Sequence, residues 1–315
     1  MTERKPPLVT VCLPTFNRAA KLREAVAALR ESSYRNIEIV ISDNGSQDAT
    51  EQTCRELAAA EPRIRYFRHE ENRGAPWNFH FARTNARGKY FMWLGDDDRL
   101  DARYIERCVQ VLEADPGLVM AAGLGAYHRN DGRLSHYGNV IQAGSPRPAA
   151  RVATYLWNVS ENSIFYGLYD VARTQSCVTP VCLAGDWIWI VDVLVQGRAV
   201  VLPDVLVHRD YEDSASSSHA RLVRNFGLPQ WQARFPMLAA SLNLVRHAGI
   251  ITGRAGYSPA GRVSMALVVA AVMLAKVWRQ HAVRGLVAIP GLQAMVRRLR
   301  AKSAGGSQAE DRPPR

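Results

Sequence analysis

The sequence lacks several signatures that would settle its class at once. No Gly-x-Gly-x-x-Gly follows the first apolar run, and no Gly-Lys-Ser or Gly-Lys-Thr closes a glycine-rich loop. Dinucleotide-binding and P-loop readings therefore lose their main support. No segment repeats at a period of about 20 to 50 residues, which excludes a solenoid. Cysteine is scarce: five residues, at 12, 54, 108, 177 and 182, with Cys177 and Cys182 no usual zinc pair. Cys12, Cys54 and Cys108 fall in apolar patterns and are expected to be buried thiols in a reducing compartment, the cytoplasm. Long apolar runs are missing as well. Residues 8–13 are stopped by Pro14, so no signal peptide is expected. Residues 263–275 give 13 uncharged positions, where a membrane span needs about 20.

What is present is the balance of a folded protein. Of its 315 residues, 47% are hydrophobic and 22% charged, which excludes a disordered, collagenous or coiled-coil chain. The net charge of +11 is unevenly placed: residues 250–315 hold 11 Lys or Arg against 2 Asp or Glu, the first 249 hold 29 against 27. A nucleic-acid binder would spread that charge over its folded domain, so no nucleic-acid partner is expected. A cationic C-terminal region suits an anionic membrane surface instead.

Residues 8–13 (LVTVCL), 37–42 (IEIVIS), 64–67 and 89–94 (KYFMWL) read as strands, and 20–32, 48–60 and 102–114 as helices. This alternation predicts an α/β fold, a mostly parallel sheet flanked by helices, with ligands at the C-terminal strand ends. Residues 123–151, rich in Gly, Ser and Pro, read as loops around a hairpin. A helix over 186–196 and strands over 199–202 and 205–207 follow. His69, His128 and His136 are expected on loops without a role.

Three strand ends are unusually polar: Pro14-Thr15-Phe16-Asn17-Arg18, Ser42-Asp43-Asn44-Gly45-Ser46-Gln47-Asp48, and Gly95-Asp96-Asp97-Asp98. The first two have plain alternatives, a turn with Asn17 capping the next helix and a tight Asx turn. The third is harder to dismiss, because three adjacent carboxylates repel one another unless a cation screens them. An oxygen-only set suits Mg²⁺ or Mn²⁺. Its alternative is an acidic turn with Asp101 as a helix cap.

The order PTFNR, ISDNGSQDAT, ENRGAPWNFHFA and ARGKYFMWLGDDDRL resembles the family 2 glycosyltransferases, closely from residue 8 to about 123 and more loosely to about 214. The resemblance implies a GT-A fold with a Rossmann-like nucleotide-binding half, a nucleotide-diphosphate sugar donor and a divalent cation. Carried over by position, Pro14, Thr15 and Asn17 would lie along the nucleotide, Asp43 would meet the base, and Asn72 and Gly74 would shape the donor pocket. Asp96 would approach ribose or metal, with Asp97 and Asp98 as metal ligands. The family pattern begins with Asp where this chain has Gly95, which leaves open which of the three carboxylates bind metal. Asp186 stands where relatives carry the acceptor-side base, with a helix N-cap as its alternative. Some relatives have His where this chain has Tyr211, leaving His208 and His219 as substitutes. Tyr155, Trp157, Tyr166 and Tyr169 would stack on a sugar or fill the core.

The resulting expectation is an inverting, metal-dependent glycosyltransferase acting on a glycan or lipid-linked acceptor in surface polysaccharide synthesis. It would be cytoplasmic, peripheral on the inner face of the cell membrane. Residues 1–220 would form the catalytic domain, 221–301 a basic, helical, membrane-associating extension, and 302–315 a disordered tail. A catalytically silent sugar-nucleotide or glycan-binding module and a nucleotidyl- or phosphoryl-transferring enzyme are the competing readings.

Overall fold

The computed structural model describes residues 5–129, 131–210 and 215–287, with side chains for 5–129, 131–210 and 219–279. The expected tail 302–315, residues 288–301 and Tyr211 lie outside the described residues. The first half runs β1 (Val9–Thr15), α1 (Ala19–Arg30), β2 (Ile37–Asp43), α2 (Thr50–Ala60), β3 (Ile64–Arg68), α3 (Ala75–Thr84) and β4 (Tyr90–Trp93). Next come β5 (Arg99–Leu100), α4 (Tyr104–Ala114), β6 (Leu118–His128), β7 (Leu134–Tyr137), β8 (Gln142–Ala143), α5 (Pro148–Asn158), β9 (Leu168–Asp170) and α6 (Val171–Thr174). The remainder is α7 (Gly185–Gln196), β10 (Arg198–Asp210), α8 (Ala215–Asn225), α9 (Trp231–Arg234), α10 (Pro236–Arg254) and α11 (Pro259–Val287).

One sheet runs in the order β3-β2-β1-β4-β9-β6-β10-β5, with β7 on β6 and β8 on β10. The strands β3, β2, β1 and β4 are parallel, as the alternation predicts. Antiparallel β9, between β4 and β6, makes the second half mixed. Side chains alternate across the pleat. Val11, Leu13, Ile39, Ile41 and Met92 pack under α1, α2 and α4, while Cys12, Val40, Phe91 and Trp93 face the core that α5, α7, α10 and α11 complete. Both faces are covered, which is why these strands read as unbroken apolar runs. Cys12, Cys54 and Cys108 are buried, as expected.

Residues 123–151 differ from the expectation of loops. Gly123 and Gly125 lie inside β6, and a Cβ at Gly123 would fall 2.3 Å from the Tyr104 ring. Glycine is there for close packing. β7 does form the expected hairpin with β6. Strands 199–202 and 205–207 are one strand, β10, whose register shifts between Leu202 and Leu206, around Pro203. His128 ends β6 and His136 lies in β7, so neither sits on a loop.

The C-terminal helices are packed onto the rest of the chain: Leu244, Ala248, Ile251, Met265, Val269 and Met273 belong to the core beneath α5 and α7. Lys276, 3% exposed, donates to the Leu156 and Val159 carbonyls at the end of α5 and lies 5.0 Å from the Trp187 ring. Arg254 pairs with Asp192 of α7, which is 1% exposed.

Candidate active site

The C-terminal ends of β1 and β2 and the turn after β4 open onto a cavity of about 880 Å³, lined by Pro14, Thr15, Asn44, Asn72, Gly74 and Asp96 among others. Asn44 Nδ2 donates to Asn72 Oδ1 at 2.8 Å, the Arg73 amide donates to Asn44 Oδ1, and the Gly74 amide donates to Asn72 Oδ1 at 2.9 Å. Gly74 takes φ +85°, a left-handed conformation suited to glycine. This turn aims the start of α3 at the cavity, where its first amides supply partial positive charge.

The acidic turn forms one wall. Asp96, 9% exposed, accepts from Thr15 Oγ1 at 2.7 Å. Burial pushes its carboxyl up to about 6, and Asp97 and Asp98 push the same way, against the Thr15 bond and Arg18. Asp97 accepts from Arg18 Nη1 at 2.8 Å. Asp98 is almost fully buried; its Oδ1 accepts from Arg209 Nε at 3.1 Å. Its Oδ2 has no partner among the described residues. A Cβ at position 95 would fall 2.6 Å from Asp98 Oδ2 and 3.0 Å from Asp97 Oδ1. Gly95 is therefore the space in which these two carboxylates fold back. All three also line a smaller cavity of about 180 Å³.

No group of three or more His, Cys, Asp or Glu is gathered around one point among the described residues. Asp97 is paired with Arg18 and Asp98 with Arg209. The set nevertheless fits a hard divalent cation. It offers carboxylate oxygens only, one buried without a partner, and such ions take one or two carboxylates and complete their shell with substrate phosphates and water.

A second cavity, of about 400 Å³, holds Asp186 and Arg209 and shares Ala75, Phe79 and Phe226 with the first. Asp186 lies in the first turn of α7, whose N-cap position is Ala184 at φ +64°. The sequence alternative of Asp186 as N-cap is thereby corrected: its Oδ2 instead accepts from Asn162 Nδ2 at 2.9 Å, and Asn162 Oδ1 from Tyr155 Oη at 2.8 Å. Desolvation pushes the Asp186 carboxyl above its usual range. Arg209 spans the two sites, bonded to Asp98 on one side and lying 4.5 Å from the Tyr166 ring on the other. Among the described residues the non-glycine positive φ values fall at Asn17 and Ala184; Ala184 lines the second cavity, and Asn17 sits between Phe16 and Arg18, which line the first.

The structure thus gathers Pro14, Thr15, Asn72, Gly74 and Asp96 around one cavity and Asp186 in its neighbour. Two expected donor contacts are displaced. Asn17 is exposed and does not cap α1; its Oδ1 accepts from the Gln47 amide, tying the β1 turn to the β2 turn. Asp43 is fully buried, its oxygens taken by the Ser46 amide and Tyr66 hydroxyl. It shapes the turn that presents Asn44, and Asn44, read from sequence only as part of a turn, is the residue in the cavity wall. His208 is spent on His128 and Asp101, 3.0 Å from each, and His219 lies on α8 outside both cavity linings. Asp101 caps no helix side chain to amide; it also accepts from the Leu206 amide. Tyr155 and Tyr169 are core, Tyr166 lines the second cavity and Trp157 is exposed. Asn162 and Arg209 were not legible as site residues, because their role comes from strand and loop ends distant in sequence.

Residues 10–170, just over half of the chain, match the model of the family described as glycosyl transferase family 2. Among curated proteins, an uncharacterized glycosyltransferase of Rickettsia typhi is 34% identical over 106 residues, 34% of this chain and 32% of the relative. The GalNAc(5)-diNAcBac-PP-undecaprenol beta-1,3-glucosyltransferase of Campylobacter jejuni is 32% identical over 95 residues, 30% of this chain and 31% of the relative. The chain thus spans about a third of the length of these two relatives. Among solved structures, a mannosyltransferase of Pyrobaculum calidifontis in complex with GDP-Man and Mn²⁺ superposes with TM-score 0.53 at 18% identity, covering 88% of each chain. TarS 1-349 of S. aureus gives 0.51 at 16%, over 78% of this chain and 69% of that one. At such identities these two share the fold alone. The family match, on residues that carry most of the first cavity, decides the affiliation: the chain belongs to glycosyl transferase family 2.

Proposed function

We propose that this protein transfers a sugar from a nucleoside-diphosphate sugar to an acceptor hydroxyl, with inversion, the acceptor being a glycan or a lipid-linked sugar of the cell surface. The observation that carries this reading is the pair of adjoining cavities, one walled by Asp96 and the start of α3, the other holding Asp186, with Arg209 between them. The nucleotide would lie over Pro14, Thr15 and Asn44, its phosphates toward Gly74 and Asp96. Asp97 and Asp98, with Asp96, would hold Mg²⁺ or Mn²⁺, which supplies neutralisation of charge on the departing diphosphate. Arg209 opposes the upward push that burial gives the Asp98 carboxyl and adds positive charge between the cavities. The Asp186 carboxylate, oriented by Asn162 and by backbone amides of its own first turn, would take the proton of the acceptor hydroxyl. Attack from that side, opposite the leaving diphosphate, inverts the anomeric centre. The exposed apolar face and basic flank of α11 support a peripheral location on the inner membrane face, with residues 1–220 as the catalytic part and the later helices as the membrane-associating part.

The test is a thermal-shift and turnover screen of nucleotide sugars with Mn²⁺ or Mg²⁺. Stabilisation by one donor class and release of nucleoside diphosphate are expected. Release of pyrophosphate instead would assign nucleotidyl transfer, and full activity of Asp97→Asn or in EDTA would remove the cation. Asp186→Asn is expected to keep donor affinity and lose about 10²- to 10⁴-fold in turnover.

A further inference from the structure

The cavity that holds Asp186 has a mouth unlike its floor. Leu183, Val223 and Ala239 form one buried cluster, and Asn243 Nδ2 donates to the Leu183 carbonyl at 3.1 Å. Loop 175–184, α8 and α10 are thereby pinned around one centre, and their outward neighbours are exposed and apolar. No Asp or Glu occurs between Asp213 and Glu310, while Arg224, Arg234 and Arg246 are exposed. An apolar rim carrying only positive charge, continuous with a cavity that contains Arg209, complements a lipid bearing an anionic headgroup.

We propose that the Asp186 cavity takes a lipid-borne acceptor, its anionic headgroup entering beside Arg209 and its chain lying across Val181, Leu222, Trp231, Phe235, Leu238 and Leu242. This rests on the glycosyl-transfer reading for its chemistry, but its test does not. Cys182 lines the same cavity and is the one cysteine that is not buried. Burial and Asp186 push its thiol up to about 11, so alkylation is slow enough to time.

The experiment follows alkylation of the full chain by N-ethylmaleimide, assigned to Cys182 by its loss in Cys182→Ser. Anionic vesicles carrying a polyisoprenyl diphosphate, at about ten times its Kd, are expected to slow labelling about tenfold, as nine sites in ten are then filled. Vesicles of equal surface charge without that lipid, and inorganic pyrophosphate, are expected to leave the rate unchanged. Val181→Glu and Leu242→Glu, both on exposed positions, should abolish the shielding while stabilisation by GDP or UDP is kept. Equal slowing by plain vesicles, or by pyrophosphate alone, would overturn the proposal, as would intact shielding in both rim variants. Shielding without any nucleotide stabilisation would instead sink the donor reading and leave this one standing.

Discussion

Asp96 illustrates how a single carboxyl is held against its own preference. Its pKa, raised by burial to about 6 from an ordinary 3.8, means that the native state binds this proton more readily than the unfolded chain. Stability is therefore expected to fall as pH rises from about 4 to about 6, by at most about 3 kcal/mol, and to stay lower above that. Asp96→Asn should melt higher than wild type at pH 7 and nearly equal to it below pH 4, and should lose nucleotide-sugar stabilisation. Melting curves across pH check both; an unchanged pH profile would show that the carboxyl is not strained. Gly95 makes the complementary case. Gly95→Ala puts a methyl into the space taken by Asp97 and Asp98, an overpacking that typically costs about 1–3 kcal/mol. Denaturant titration should show that loss, together with weaker divalent-cation dependence. From sequence, Gly95 looked like a departure from the family pattern; only the folded turn shows two carboxylates occupying the missing side chain's volume.

At the scale of elements, Arg254 of α10 reaches α7 and the loop that walls the second cavity, donating to the Ser176 carbonyl at 2.7 Å while pairing with Asp192. Arg254→Gln leaves Asp192 buried and unpaired and is expected to cost about 3 kcal/mol, the low end of such losses because Arg254 is itself one third exposed. Adding Asp192→Asn should recover most of it. If the double variant is no more stable than the single, the ion pair is not the source. Elements with strong periodicity were legible: β1 to β4, α1, α2 and α4 lie within a few residues of where their apolar spacing puts them. What failed was any element whose identity depends on neighbours. α3 and α5 open on prolines amid aromatic and polar residues, and β6 is held by glycines that only Tyr104 and Ser163 explain.

For the whole molecule, the sequence-derived contrast between a soluble domain and a membrane-bound tail becomes a contrast between two faces of one helix. Pro259–Arg279 is long and apolar enough to cross a membrane by length and composition alone. Its face with Met265, Val269, Met273 and Lys276 is occupied by the protein, however, and its other face exposes Val263, Leu267, Leu274 (71%) and Trp278 (75%). On the peripheral reading proposed above, a helix so shared would lie along a membrane surface rather than through it. Each apolar side chain withdrawn from water is worth about 1.5–3 kcal/mol, so Leu267→Glu, Leu274→Glu or Trp278→Glu should each weaken binding to anionic vesicles at least about tenfold. Unchanged sedimentation with vesicles would reject the stripe as the contact. Truncation near residue 250 is a poorer test, since it also removes Arg254 and core residues. The pairing of Asp98 with Arg209 carries a consequence in time. The four parallel strands are complete at Trp93, yet the acidic turn that follows waits for a partner 111 residues further on. At about 5–20 residues per second of synthesis, that interval is roughly 5–20 s. During it Arg18 is already at hand to answer Asp97, but the Asp98 carboxyl has no cationic partner until β10 has closed the sheet.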